Sequence, residues 1–270
     1  MRIVFFGGSK FSQFYLEALK STFGEVFSFH KLPSKEEIEK ISPDVGVIAY
    51  FGYIVPEEML KIPRNGFINV HYSLLPRWRG PAPVQSALLA GDKEIGVTIL
   101  IASKKVDAGA MLAQEKIPIF PDDTYLSLEE KLIQLGSKML LETLPRYLEG
   151  NVTLKIQKES RATYSKKINK SDGLIDWSKS AEKIERMVRA YDPWPGTFIK
   201  IENKILKIKK ATVIPPMGGA FSPGIVLRTD DGFPAVVCGK GALKLLIVQP
   251  EGKSEMSGDA YLRGHKSLLN

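Results

Sequence analysis

The run Val45-Gly-Val-Ile-Ala-Tyr-Phe51 contains no charged residue and no alternation of polar with apolar side chains. A half-exposed strand would alternate, so a short unbroken apolar run reads as a strand covered on both faces, the signature of a parallel sheet flanked by helices. Its neighbours agree. Arg2 to Phe6 is a short apolar run ending in Gly7-Gly8, and Phe11, Phe14, Tyr15, Ala18 and Leu19 follow at helical spacing. Glu25 to His30 reads as a second strand. Ser34 to Ile41 reads as a short helix, with Ser34 as N-cap and Glu37 completing a capping box.

Further along, Pro56 to Leu60 starts a short helix and Phe67 to His71 reads as a buried strand. Pro83 to Leu89 is helical, Gly96 to Ala102 and Met111 to Ile119 are strands, and Leu126 to Leu148 is a long amphipathic helix. The predicted class is α/β, a Rossmann-like domain with a mostly parallel sheet over residues 1–157. Gly7-Gly8-Ser9-Lys10-Phe11 is not G-x-G-x-x-G, and no acidic residue closes the second strand, so a dinucleotide site is not expected.

From about Gln157 the texture changes. Residues 158–171 are polar, basic and aperiodic, as in a linker. Residues 172–270 hold one helix, Ala181 to Tyr191, and then short β-rich runs (Phe198 to Ile201, Ile205 to Ile214, Gly224 to Arg228, Ala235 to Val237, Leu243 to Val248). Close spacing of short strands predicts a small OB-like β-barrel. Residues 1–157 carry 18 basic and 18 acidic residues, whereas residues 158–270 carry 20 and 12, so the whole net charge of +8 sits in the last part. A neutral body with a basic appendage suits contact with a polyanion, although a merely solubilising face is the alternative.

One cysteine, Cys238, excludes an internal disulfide and a cysteine-cluster metal site, and core filler is its expected role. No apolar run approaches a membrane span, and the N-terminal run is too short for a secretory leader. A cytoplasmic monomer with no metal and no membrane partner is the expectation.

Asn69 and His71 are two apart in a predicted strand, so an amide and an imidazole leave one face together. Asp107, ahead of Ala108-Gly109, is placed at the same edge of the sheet. An amine attacking a carbonyl-level carbon gives a tetrahedral intermediate whose oxyanion an amide N–H and an imidazole N–H stabilise. A histidine beside a carboxylate moves the proton. No Ser or Cys nucleophile with an adjacent base is evident, which favours direct transfer. Taken singly, each residue has a plainer reading: a satisfied polar strand-end histidine, a turn-capping Asn69, an Asx turn at Asp107.

The string Asn69-Val-His-Tyr-Ser-Leu-Leu-Pro-Arg-Trp-Arg-Gly-Pro-Ala-Pro83, with Gly96-Val-Thr-Ile and Val106-Asp-Ala-Gly109, resembles the signatures of the formyltransferases that use 10-formyltetrahydrofolate. Ala162-Thr-Tyr164, Ile175-Asp-Trp177, Arg189-Ala-Tyr-Asp-Pro-Trp-Pro-Gly196 and Gln249-Pro-Glu-Gly252 are similar to the branch acting on charged tRNA. The resemblance implies transfer of the formyl group to the α-amino group of methionyl-tRNA, with sugar-nucleotide N-formylation as the alternative. It assigns Asn69, His71 and Asp107 as catalytic, and places the folate donor against Ser73, Leu74, Leu75 and Pro76 and against Ala49, Tyr50, Phe51, Gly52 and Tyr53. Initiator tRNA is the implied partner, with Arg77, Arg79, Lys204, Lys207 and Lys209 expected to meet it. One departure stands out: Lys31 to Asp44 is shorter than the corresponding family segment, so recognition carried there must rest elsewhere.

Overall fold

Parallel pairing of Ile3 with both Val26 and Val45, and of Gly46 with Phe67, establishes the first sheet. The computed structural model describes residues 1–201, 204–216 and 221–265. The chain divides into two units. The first comprises Met1–Val84, Lys93–Phe120 and Ser127–Lys166; the second comprises Gln85–Asp92, Pro121–Leu126 and the chain from Lys167 onward. The last change of unit falls between Lys166 and Lys167.

In the first unit, β1 (Ile3–Phe6), β2 (Val26–Phe29), β3 (Val45–Ile48), β4 (Phe67–His71), β5 (Glu94–Ile101) and β6 (Met111–Pro118) lie in the order β2-β1-β3-β4-β5-β6. The first four strands pair in parallel, and β5 and β6 add antiparallel. Order reverses between β1 and β3, the switch point at which open α/β sheets leave a crevice beyond the strand ends. Burial on both faces explains the missing alternation. Val4 and Phe6 pack with Ile38 of α2 (Lys35–Ile41) and with Met59 and Leu60 of α3 (Glu57–Leu60). Opposite, Tyr15 of α1 (Ser12–Phe23) donates its hydroxyl to the Ile133 carbonyl of α5 (Tyr125–Leu148), 3.3 Å away. The Ser34–Glu37 capping box forms, with both reciprocal bonds made.

Two boundaries differ from the sequence reading. The run Val45 to Phe51 is strand only as far as Ile48, because Tyr50 turns into the left-handed region (φ 54°). Its hydroxyl then donates to the buried Glu129 carboxylate. Second, β5 runs antiparallel to β4, so its end at Ile101 lies level with Ile68 near the start of β4. The connection at 102–110 therefore folds back to reach His71, instead of leaving from a shared edge.

The second unit contains α4 in part (Pro83–Ala90), then α6 (Ala181–Tyr191) and an antiparallel sheet. Its strands are β7 (Thr197–Ile201), β8 (Lys204–Ile214), β9 (Val226–Arg228), β10 (Pro234–Val237) and β11 (Ala242–Pro250). Their order is β7-β8-β11-β10-β9, with register shifts where β8 meets β11, the strand set of the OB-like domain. Among the described residues no β7–β9 ladder closes the ring. A two-residue β12 (Met256–Ser257) and α7 (Gly258–Gly264) complete it; neither is evident in the sequence. Ala181, Ile184 and Val188 of α6 pack into a core with Leu206, Ile208, Val236, Leu243, Leu245 and Val248. Among the described residues no helix is long and apolar enough to cross a membrane, and no group of three His, Cys, Asp or Glu could hold a metal ion.

Cys238 lies in this second core, 5% exposed, and burial pushes its thiol up to about 11. The group stays protonated, and so a poor nucleophile, throughout the pH range below that value. Iodoacetamide at pH 8 is expected to leave the folded protein unlabelled and to label it fully in denaturant, as read by intact mass. Rapid labelling of the folded chain would contradict this burial.

Candidate active site

The side chains of Asn69 and His71 project from one face of β4, and the 102–110 connection brings Asp107 against both. Asn69 Nδ2 donates to Asp107 Oδ1 at 3.1 Å. His71 Nδ1 stands 3.5 Å from Asp107 Oδ2, an ion-pair distance, with both side chains under 10% exposed (7% and 8%). The Gly80 N–H donates to the same Oδ2 at 2.8 Å. His71 Nε2 is 2.9 Å from the Trp78 carbonyl oxygen. Both ring nitrogens thus face oxygen atoms. The three residues predicted as catalytic are together.

The loop after β4 is braced from within. Ser73 Oγ donates to the Arg77 carbonyl at 2.6 Å, and the Leu75 N–H reaches Thr98 Oγ1 at 3.3 Å. Thr98 Oγ1 donates to the Ser73 carbonyl, and Gln114 Nε2 donates to the Leu75 carbonyl at 3.0 Å. Ser73 and Leu75 are therefore buried scaffold, and within the predicted folate stretch only Leu74 and Pro76 keep exposed surface. In the other predicted stretch, Ala49 is fully buried and Tyr50 faces inward, stacked on Tyr72 at 4.5 Å. Burial, followed by the Glu129 carboxylate, raises the Tyr50 hydroxyl far above the ordinary tyrosine range and keeps it a donor. Phe51 packs on Phe6, whereas Gly52 and Tyr53 are exposed. A cavity of about 370 Å³ lies inside the second unit between Trp177, Leu206, Val236 and Leu245.

Two residues predicted to meet RNA are corrected. Arg79 is 1% exposed: its guanidinium bonds Gln157 Oε1 through Nε (3.1 Å) and Nη2 (2.9 Å), and Glu159 Oε2 through Nη1 (2.9 Å). A phosphate cannot reach it. Lys209 is drawn onto Asp192, with Glu255 at 3.4 Å, and these carboxylates neutralise it. Arg77 is exposed, stacked on Trp78 at 4.4 Å, and Lys204 and Lys207 are exposed on β8. Gln157 is a site residue that sequence reasoning missed. A glutamine at a domain boundary carries no pattern of its own.

Residues 28–144 match the formyl transferase family and residues 167–266 its C-terminal domain. The methionyl-tRNA formyltransferase of Methylococcus capsulatus is 43% identical over 243 residues, 89% of this chain and 78% of that protein. The chain belongs to the methionyl-tRNA formyltransferase family. Among solved structures, the family's enzyme from Clostridium thermocellum has a TM-score of 0.63 at 17% identity, over 79% of this chain and 94% of that one. HypX from Aquifex aeolicus, in complex with tetrahydrofolic acid, gives 0.71 at 22% identity over 97% of this chain and 47% of that one. These two likenesses speak for the fold.

Within the family fold, Gly109 is where the Asp107 connection passes closest to β5. A Cβ there would lie 1.8 Å from the Ile101 carbonyl oxygen. Gly109→Ala should therefore displace the connection and lower stability by about 2–3 kcal/mol, together with most of the activity. Gly52→Ala, whose methyl meets open space, is the control. Urea unfolding of the two variants checks this; equal stability would show that the connection yields.

Proposed function

We propose that this chain transfers the formyl group of 10-formyltetrahydrofolate to the α-amino group of methionyl-tRNA, with Asn69, His71 and Asp107 as its catalytic residues. The observation that carries the reading is the Asp107 carboxylate, held between the Asn69 amide and the His71 ring in a family member. The donor supplies a formyl carbon on a nitrogen leaving group. As the amine attacks, negative charge develops on the formyl oxygen, the C–N bond to the folate breaks, one proton leaves the amine and one reaches the folate nitrogen.

The Asn69 amide has two N–H groups and spends one on Asp107, so the second serves the formyl oxygen. The His71 Nε2–H, satisfied here by the Trp78 carbonyl, is the other donor for which that oxygen competes. Asp107, 3.5 Å from Nδ1, orients the ring as the proton is passed. The partly exposed Leu74 and Pro76, with the exposed Tyr53, offer the apolar surface that a flat pteridine needs. No step requires a metal.

Asn69→Ala, His71→Ala and Asp107→Ala should each lower kcat about a hundredfold or more in protein that still folds, as read by far-UV circular dichroism. The assay is transfer of labelled formyl from the folate to charged tRNA, with an amino-sugar nucleotide as competing acceptor. Label on the sugar and none on the RNA would replace the proposed acceptor. Near-wild-type turnover by the His71 variant would end the proposed mechanism.

The exposed Lys204 and Lys207 are the proposed phosphate contacts. Replacing both with Ala should weaken tRNA binding and flatten the log Kd against log salt slope by about 1–2, since each phosphate contact contributes roughly one unit. The KM for folate should stay as it was. An unchanged salt slope would remove β8 from the RNA interface.

A further inference from the structure

Behind Asp107 lies a run of buried polar groups that none of the proposed steps uses. Gln157, 8% exposed, donates from Nε2 to two backbone carbonyls, Asp107 at 2.8 Å and Gly109 at 2.9 Å. Its Oε1 accepts from Arg79 Nε and Nη2. A guanidinium has donors only, so it compels the amide oxygen to face it and the NH2 to face the carbonyls. Arg79 is fixed in turn by Glu159, whose carboxyl is held down at about 2 by Lys105 and Arg79.

This run acts where the backbone is strained. Asp107 has φ 52°, a left-handed conformation that is strained for a non-glycine residue and persists where its surroundings over-determine it. The Gln157 amide fixes its carbonyl, and the Gly80 N–H, next in sequence to Arg79, fixes its carboxylate. Arg79 backbone groups are themselves clamped: its N–H donates to the Thr163 carbonyl at 2.9 Å and its carbonyl accepts from the Ser165 N–H at 2.7 Å. The Trp78 N–H, adjacent to the carbonyl that faces His71, donates to Thr163 Oγ1 at 2.9 Å.

We infer that Gln157 and Arg79 are positioning residues for formyl transfer: through the Asp107 and Gly109 carbonyls they set the Asp107 carboxylate against His71. The inference rests on the reading of Asp107 as a catalytic residue. A purely structural part, tying residues 157–165 to the loop after β4, is the competing account, and the two differ in a measurable way.

Gln157→Glu keeps a partner for Arg79 but turns an oxygen toward two carbonyl oxygens, so the hold on the connection is lost. Expected are a kcat about 10–100-fold lower, the cost of a displacement of around 1 Å, KM values for folate and tRNA within about threefold, and a folded protein by far-UV circular dichroism. The deciding measurement is the same substitution in an Asp107→Asn background, by single-turnover transfer. A residue acting through the carboxylate has little left to lose there, so the further loss should be under about threefold. Ring ¹⁵N signals of His71 should shift in Gln157→Glu alone.

Should Gln157→Glu not fold, Gln157→Met, similar in volume and without donors, takes its place under the same criteria. Turnover of the single variant within threefold of wild type, or an equal loss in both backgrounds, overturns the positioning role and leaves the catalytic trio standing. Undiminished turnover by Asp107→Asn overturns the trio itself and this inference with it.

Discussion

A carboxylate that has given up nearly all its contact with water must be repaid in hydrogen bonds, and Asp107 is that carboxylate. Burying an ionised carboxyl without partners costs several kcal/mol. The Asn69 amide, the Gly80 N–H and the nearby His71 ring meet that demand. These groups come from β4 and from the loop that follows it, and Asp107 comes from the connection between β5 and β6. Satisfying one buried charge therefore fixes the mutual placement of three segments. The Leu75-to-Gln114 bracing fixes the loop's other end, so the site is held at both sides.

What the sequence revealed and what it hid divide by range. The capping box of α2, both ends of α6 and the strand Phe67–His71 rest on signals within a few residues, and these appear as expected. The run at Val45 looked like one seven-residue strand, yet it bends at Tyr50 because the hydroxyl has a buried partner on α5, far along the chain. Helix α7, of seven residues, and the two-residue β12 escaped because both are too short to show a period. Asn69 and His71 were legible through their spacing of two. Asp107 was found for a partly mistaken reason, since its connection reaches them by folding back from an antiparallel strand.

Arg77 and Arg79 show the same limit at its sharpest. Two residues apart, they would share a face in an extended chain. Between them Trp78 takes a left-handed conformation (φ 60°), which breaks the alternation and sends one guanidinium to the surface and the other inside. Of the partners of Arg79, Glu159 belongs to the stretch expected as linker and Gln157 stands immediately before it. That stretch is polar because it hydrogen-bonds to the loop, and polarity alone could not separate this from solvation.

The same reasoning changes what the net charge of +8 means. A formal count treats every cation alike, but a phosphate responds to those whose charge is not already matched at short range. In the second unit Lys209 is matched by Asp192, Arg189 by a bidentate Glu185, Lys244 by Asp231 and Arg263 by Asp259. The exposed Lys204, Lys207 and Lys210 are on one strand, and Lys200 is on its neighbour, where it pairs with Ile205. The positive field of the second unit that is not matched at short range thus includes a patch on β7 and β8 and is smaller than the formal total. A chain whose segment from Lys31 to Asp44 holds Glu36, Glu37 and Glu39 among its lysines gains little from that side. In the proposed function, RNA contact therefore rests on the lysines of this sheet and not on that segment.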